Sequence, residues 1–415
     1  MHHPHTPAQE SAQVSARVAQ GAAGSSTPVA RPLAARPLAA WPLAAWPLAA
    51  WPLDAATVAA LPSPSLVIWM QHVRENVDRV LRLAQGRWRP HIKTVKIPEV
   101  LAVLIARGVR TFKCATPLEA QVMAALLEDL APGEGDLLVA FPHVGPNLRR
   151  LGELARALPG VRWSIASEDP EHAASVPREL GVFIDVNSGM DRTGAPLGDE
   201  ARIRATAKAA GARLRGLHAY DGHHLAADPA TRAAAVRDSN GRIRGLVDHL
   251  RADGFAIDEV VTAGTPAFPA ALADEGWLGR PEHHRVSPGT VVLSDLRCDA
   301  QVPELGLVPA ALVLGRVVSR PTASRVTCDV GSKALSADVD VVGRPLGWPG
   351  LHPQRPSEEH LPLEVAADSA RPALGEALWF VPGHVCPTVN LYDEALLVEE
   401  DGSVSRARVA ARGHD

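Results

Sequence analysis

From Leu61 to the C-terminus, short apolar runs alternate with longer stretches in which apolar residues recur every three or four positions. The first run, Ser65–Trp69 (SLVIW), is brief and β-prone and predicts a strand; Val73, Val77, Val80 and Leu81 then fall on one face of a helix over Val73–Leu83. Further strand-like runs follow at His91–Thr94, Thr111–Cys114, Asp136–Phe141, Arg162–Ile165, Val182–Val186, Leu214–Tyr220 and Glu259–Thr262, separated by Ala-, Leu-, Glu- and Arg-rich helical segments. This alternation predicts successive βα units closing into a parallel, TIM-type (β/α)8 barrel over residues 56–287. Past Pro288 the helical period fades. The runs Ala311–Ser319, Arg325–Asp329, Leu363–Val365, Ala377–Val381 and Ala395–Val398 predict an all-β domain over residues 288–415.

The first 55 residues read differently. Between Ala30 and Leu53 a five-residue unit repeats, with Arg31, Arg36, Trp41, Trp46 and Trp51 each followed by Pro-Leu. A proline at every fifth position costs a regular helix about 3 kcal/mol each. The expectation for residues 1–55 is a disordered or weakly polyproline-like tail, with a partner-binding Trp-Pro segment or an upstream-shifted start codon as the other readings.

Composition narrows the function classes. The 415-residue chain carries 46% hydrophobic and 21% charged residues with a formal charge of -4, ordinary values for a globular protein. No Lys/Arg cluster marks a nucleic-acid or anionic-lipid surface, which leaves a small-molecule ligand. No run of about 18 apolar residues predicts a membrane span. Cys114, Cys298, Cys328 and Cys386 form no CxxC pair, and with no secretory pattern at Met1–Glu10 the expected setting is the reducing cytoplasm.

The densest chemistry lies in Arg89-Pro90-His91-Ile92-Lys93-Thr94-Val95-Lys96. A lysine at the C-terminal end of the first barrel strand faces the mouth where barrel enzymes build their sites, and a desolvated amine there can condense with an aldehyde cofactor. Four other segments stand at later strand ends: Lys113-Cys114-Ala115-Thr116-Pro117-Leu118-Glu119-Ala120, Gly189-Met190-Asp191-Arg192-Thr193-Gly194, His218-Ala219-Tyr220-Asp221-Gly222-His223-His224 and Ala263-Gly264-Thr265-Pro266. Within the first of these, Thr116 with Glu119 three residues on predicts a helix capping box, and Cys114 reads as core. In the second domain, His384-Val385-Cys386 puts imidazole and thiolate two positions apart, on one face if the segment is a strand.

Together these segments resemble the D-threonine aldolase and D-serine dehydratase family, which has the alanine racemase fold (type III of the pyridoxal-phosphate enzymes). The resemblance runs from about Leu61 to Asp415. It implies that Lys93 carries pyridoxal 5'-phosphate as a Schiff base, with Arg192 beside the phenolic oxygen of the cofactor and Tyr220, Gly264 and Thr265 contributing to its site. It further implies that His384 and Cys386 hold a divalent metal, zinc or manganese, and that His223 takes the proton of a substrate hydroxyl. The family's KTHK reads KTVK here, with Val95 replacing the His, and Val291 stands where a PGTYVF-type stretch has Tyr.

The implied activity is a lyase reaction on a small D-3-hydroxy amino acid: retro-aldol cleavage to glycine and an aldehyde, favoured by KCATPLEA, GLHAYDGH, SEEHL and HVCPTVN. The alternative is dehydration to a keto acid and ammonia; a racemase is disfavoured by the HxC pair, and a non-catalytic cofactor-binding protein by the second domain. The fold implies a homodimer.

Overall fold

The computed structural model describes residues 53–414, so most of the expected N-terminal tail, residues 1–52, lies outside the described residues. The chain enters through Ala55–Ala60, a helix capped by Asp54, into β1 (Ser65–Trp69) and a helix over Met70–Ala84 that buries Val73, Val77 and Val80. After the Trp88–His91 segment come β2 (Thr111–Cys114), β3 (Gly135–Val139), β4 (Val161–Ser167), β5 (Gly181–Asn187), β6 (Ala195–Pro196), β7 (Leu214–His218), β8 (Glu259–Thr262) and β9 (His283–Val286). The long strands form a parallel sheet in the order β2-β3-β4-β5-β7-β8-β9, with β6 paired to β5. The Trp88–His91 segment closes it: Arg89 N–H donates to Val286 C=O at one side, and Lys113 N–H donates to Pro90 C=O at the other. Seven strands and this segment make the eight staves of a barrel.

Two sequence expectations need correction here. β1 is a strand but not a stave: it pairs antiparallel with β10 (Ala311–Thr322) and parallel with a strand near the C-terminus, so the chain visits the β layer before it builds the barrel. The eighth side of the barrel is instead β9, whose His283, His284 and Arg285 hide it from an apolar-run reading. The expected strand His91–Thr94 is also only a bridge at His91 followed by a turn.

After β10 come β11 (Arg325–Cys328), β12 (Gly343–Pro345), β13 (Leu351–Pro353), β14 (Leu361–Val365), β15 (Ala377–Pro382), β16 (Glu394–Val398) and β17 (Val404–Arg408). They form, with β1, one sheet in which β10 is the hub, paired with β1, β11 and β15. The barrel interior is layered. Arg89, Asp136, Arg215 and Glu259 lie near the strand N-termini, Leu138, Phe183 and Val261 form an apolar cluster above them, and polar groups return at the C-terminal ends. Among the described residues no helix is long and apolar enough to cross a membrane.

Candidate active site

At the C-terminal ends of the barrel strands a cavity of about 220 Å³ opens, walled on the other side by the β domain. Lys93 reaches it from the turn after the Trp88–His91 stave. That turn is fixed by its neighbour three residues on. Lys96, at φ 57°, ion-pairs with the buried Glu119 carboxylate at 2.6 Å and donates to the Ala411 carbonyl at 3.3 Å, which ties the C-terminal segment to the site. Glu119 Oε2 accepts from Ala115 N–H at 2.7 Å, so its side chain caps one residue before the position a capping box predicts, while Thr116 Oγ1 does accept from Glu119 N–H. Val95, the position where a His was replaced, is buried in the core.

Opposite Lys93 the strand ends carry a buried polar chain. Lys113 Nζ lies 3.3 Å from His218 Nε2, and His218 Nδ1 lies 2.7 Å from Asp185 Oδ1. Burial, followed by the nearby Lys93 charge, pulls the Lys113 amine down to about 7. His218 is likewise kept low by burial and by Lys113, while Asp185, although burial disfavours its charge, is held ionised by the His218 contact. Tyr220 stands across this chain: the Lys113 amine is 5.6 Å from its ring centroid and the Arg192 guanidinium 4.7 Å, both cation–π contacts. Gly264 lets the next loop approach, since a Cβ there would lie 3.0 Å from the Tyr220 ring. Its N–H donates to the buried Asp221 carboxylate, whose pKa burial raises to about 6 against that hydrogen bond.

The β-domain wall contributes His384 and Cys386, but not from one strand. β15 ends at Pro382, His384 is the extended N-cap residue, and Cys386 lies in the first turn of the Val385–Asn390 helix. Both still face the cavity. His384 Nδ1 is 2.6 Å from Asp338 Oδ2, and Cys386 Sγ is 3.0 Å from Thr94 Oγ1. Asp295 fixes this wall by accepting from Val385 N–H and from Cys298 N–H. The structure therefore brings Lys93, Tyr220, Gly264, Thr265, His384 and Cys386 to one cavity. Arg192 lies behind Tyr220, and the loop after β7 presents Gly222 and Leu225 to the cavity while the His223 ring packs on His224 at 4.1 Å.

A profile described as the alanine racemase N-terminal domain matches residues 68–293, more than half of the chain. The chain belongs to this family. A serine dehydratase domain profile matches residues 310–398, within the β domain. The alanine racemase-family chain is similar to a D-threonine aldolase of Arthrobacter sp (29% identity over 379 residues, 86% of this chain and 94% of that one). It is similar to a D-threo-3-hydroxyaspartate dehydratase of Delftia sp. strain HT23 at 28%, covering 84% and 97%. Among solved structures it superposes on a D-threonine aldolase from Filomicrobium marinum with a TM-score of 0.76 and 28% identity, covering 86% and 97%.

The residues present fit pyridoxal phosphate, the cofactor of this fold. Ser287 Oγ is buried on the cavity wall without a hydrogen-bond partner among the described residues, and it stands with the Thr265 hydroxyl and the backbone of Gly289 where an anion would find donors. Gly289 packs so closely on the His91 carbonyl that a Cβ there would collide with it. The donor chemistry of the β-domain wall also fits a divalent cation. Asp338 holds one imidazole nitrogen of His384 and leaves the other to point elsewhere, the usual support for a ligating histidine. Burial disfavours charge on both partners, yet their mutual contact wins: His384 rises to about 9 and the Cys386 thiol is pulled below its ordinary value. Lys113, Asp185 and Asp295 are site groups to which the sequence reading gave no role. The available signal was Lys113 itself, a charged residue between Phe112 and Cys114 in a strand otherwise fit for burial.

Proposed function

We propose that this lyase acts on D-3-hydroxy amino acids by retro-aldol cleavage, releasing glycine and an aldehyde. The observation that carries the reading is the convergence on one cavity of the Lys93 amine, an anion-ready wall at Thr265 and Ser287, and the His384–Cys386 pair. Lys93 would hold pyridoxal phosphate, whose ring takes up the electron pair left on Cα when a bond there breaks. His384 and Cys386 would hold the divalent metal, which lowers the pKa of a hydroxyl it binds. Tyr220, buttressed by Arg192, orients what lies in the barrel half of the cavity, and the Lys113–His218–Asp185 chain keeps an amine there that exchanges its proton near neutrality. His223 remains the base assigned to the β-hydroxyl proton. Burial keeps its imidazole neutral and able to accept, and the Gly222–Leu225 turn has to swing it inward.

The dehydratase reading uses the same residues, with Lys93 removing the Cα proton, and is favoured by the similarity to the Delftia dehydratase at nearly the same identity as to the aldolase. Incubating the purified protein with pyridoxal phosphate, a divalent metal and D-threonine, D-serine or D-3-hydroxyaspartate separates the two. Glycine formation is the expected result; ammonia and a keto acid without glycine would overturn the aldolase assignment. A homodimer, which the fold implies, and a cytoplasmic setting, which the unpaired cysteines suggest, would be tested by sedimentation and by fractionation.

A further inference from the structure

Two short segments bring chemistry to the cavity from opposite walls: the turn that bears Lys93 and the helix Val385–Asn390 that bears Cys386. They touch where Thr94 Oγ1 lies 3.0 Å from Cys386 Sγ. One such contact fixes a separation but leaves the segments free to pivot about it. A second connection comes from residues 409–413, which follow β17 and to which the mechanism gives no role. On the barrel side this stretch grips Lys96, three residues beyond Lys93. Ala411 N–H donates to the Lys96 carbonyl at 3.1 Å, and Lys96 Nζ donates to the Ala411 carbonyl at 3.3 Å, so both backbone polar groups of Ala411 are bound to one residue. Lys96 sits at φ 57°, a left-handed conformation that persists in a non-glycine residue only where its surroundings hold it.

On the β-domain side the same stretch grips Asn390. Arg412 Nε donates to the Asn390 carbonyl at 3.2 Å, and Gly413 N–H donates to Asn390 Oδ1 at 3.1 Å. Asn390 is the last residue of the Cys386 helix, where carbonyls lack intrahelical partners and a cation is favoured. Arg412 also pairs with Asp393, whose carbonyl accepts from Val409 N–H, and Val409 and Ala411 are buried. The stretch therefore meets each segment about one helical turn from the residue that segment contributes to the cavity. Resting on the reading of this cavity as the active site, we propose that residues 409–413 are a positioning strap: by holding Lys96 and Asn390 at once, they set the separation and angle between the Lys93 amine and the His384–Cys386 pair. Each wall keeps its own binding groups without the strap, so the strap acts on what has to reach both walls. A displacement of about 1 Å in such a geometry costs roughly a hundredfold in rate.

The test uses the full chain loaded with pyridoxal phosphate and manganese. Arg412→Met releases Asn390 from a partly exposed side chain, and Ala411→Pro deletes the N–H that binds the Lys96 carbonyl. Both variants should retain cofactor and metal to within about twofold, while kcat on D-threonine, D-serine or D-3-hydroxyaspartate, whichever the unaltered protein turns over, falls by at least about tenfold. The readout that does not depend on turnover is the broadening of the cofactor phosphorus resonance by manganese, which varies steeply with the metal–phosphorus distance and should differ from that of the unaltered protein. Arg406→Met, which removes only a surface pair with Glu394 from the neighbouring β17, should match the unaltered protein in every measurement. Unchanged broadening and kcat in Arg412→Met would overturn the proposal. So would loss of cofactor and metal together with a lowered urea midpoint, which would make the stretch structural only, or an equal effect from Arg406→Met. If the unaltered protein takes up neither cofactor nor metal, the reading of the cavity itself fails and the strap falls with it.

Discussion

The two ends of the barrel treat charge in opposite ways. At the N-terminal end Arg89, wholly buried, is bound by Glu259 through two hydrogen bonds of 2.7 and 2.9 Å and by Asp136 at 2.9 Å, while Arg215 takes the other Asp136 oxygen and Arg285 the other side of Glu259. At the C-terminal end Lys113 is buried with only a neutral imidazole in reach, Ser287 is without a partner and Arg297 is unmatched among the described residues. The N-terminal end pairs nearly all of its charge within itself, with Arg215 Nε left without a hydrogen bond, whereas the C-terminal end combines internal pairs such as Lys96–Glu119 and His218–Asp185 with groups left available for something that is not protein. Charge saturation thus separates the part of the barrel that stabilises from the part that binds, with the Leu138, Phe183 and Val261 layer insulating one from the other.

Substitutions at the two ends should break this contrast in recognisable ways. The largest effect is expected for Arg89→Leu, which takes a partner from two buried carboxylates at once and should cost about 3–5 kcal/mol in urea unfolding, while leaving the ability of the folded protein to take up cofactor intact. Next, Cys386→Ala should abolish stoichiometric metal retention, measured by atomic emission on dialysed protein, with little change in unfolding free energy, because the thiol's neighbours Thr94 and Thr290 are both hydroxyl groups. Retention of metal by that variant would remove the β-domain wall from the site.

The smallest effect is electrostatic and differs in sign of origin between the ends. Asp136 is held below its ordinary 3.8 by Arg89 and Arg215 in spite of burial, so its contribution is present above that value and lost as the pH falls through the folded pKa. Lys113 is lowered from 10.5 to about 7, so the folded state gives up a proton that the unfolded chain keeps. Stability should therefore rise with pH between about 7 and 10.5, with the full cost of the buried amine present below 7. Lys113→Met should be most stabilising relative to the unaltered protein below pH 7 and progressively less so toward pH 10, by urea midpoints of cofactor-free protein. A pH-independent difference would show that the amine is not desolvated.

How far the sequence reached depended on whether a residue's surroundings were local. β2 and β8 were legible to the residue because Thr111–Cys114 and Glu259–Thr262 are bounded by turn-forming neighbours. β1 was legible as a strand but not in its partnership, since SLVIW is apolar on both faces whether it lies in a barrel or, as here, between β10 and β16. β9 was missed because its outward and basal positions carry His and Arg, and only Val286 speaks for burial at its end. Lys93, Tyr220, Gly264, Thr265, His384 and Cys386 were found through short motifs and do meet at one cavity. Arg297 and Asp295 were invisible, because a solvated arginine and a cavity-facing one have the same sequence context, and only the closing of the β domain on the barrel gives them neighbours.

The account stands or falls on which amine the cofactor takes. Reducing the protein with borohydride after loading with pyridoxal phosphate, followed by peptide mass spectrometry, should place a single pyridoxyl group on Lys93, and Lys93→Ala should lose both the label and turnover. A label on Lys113, a label on neither lysine, or a Lys93→Ala variant that still turns over substrate would contradict it.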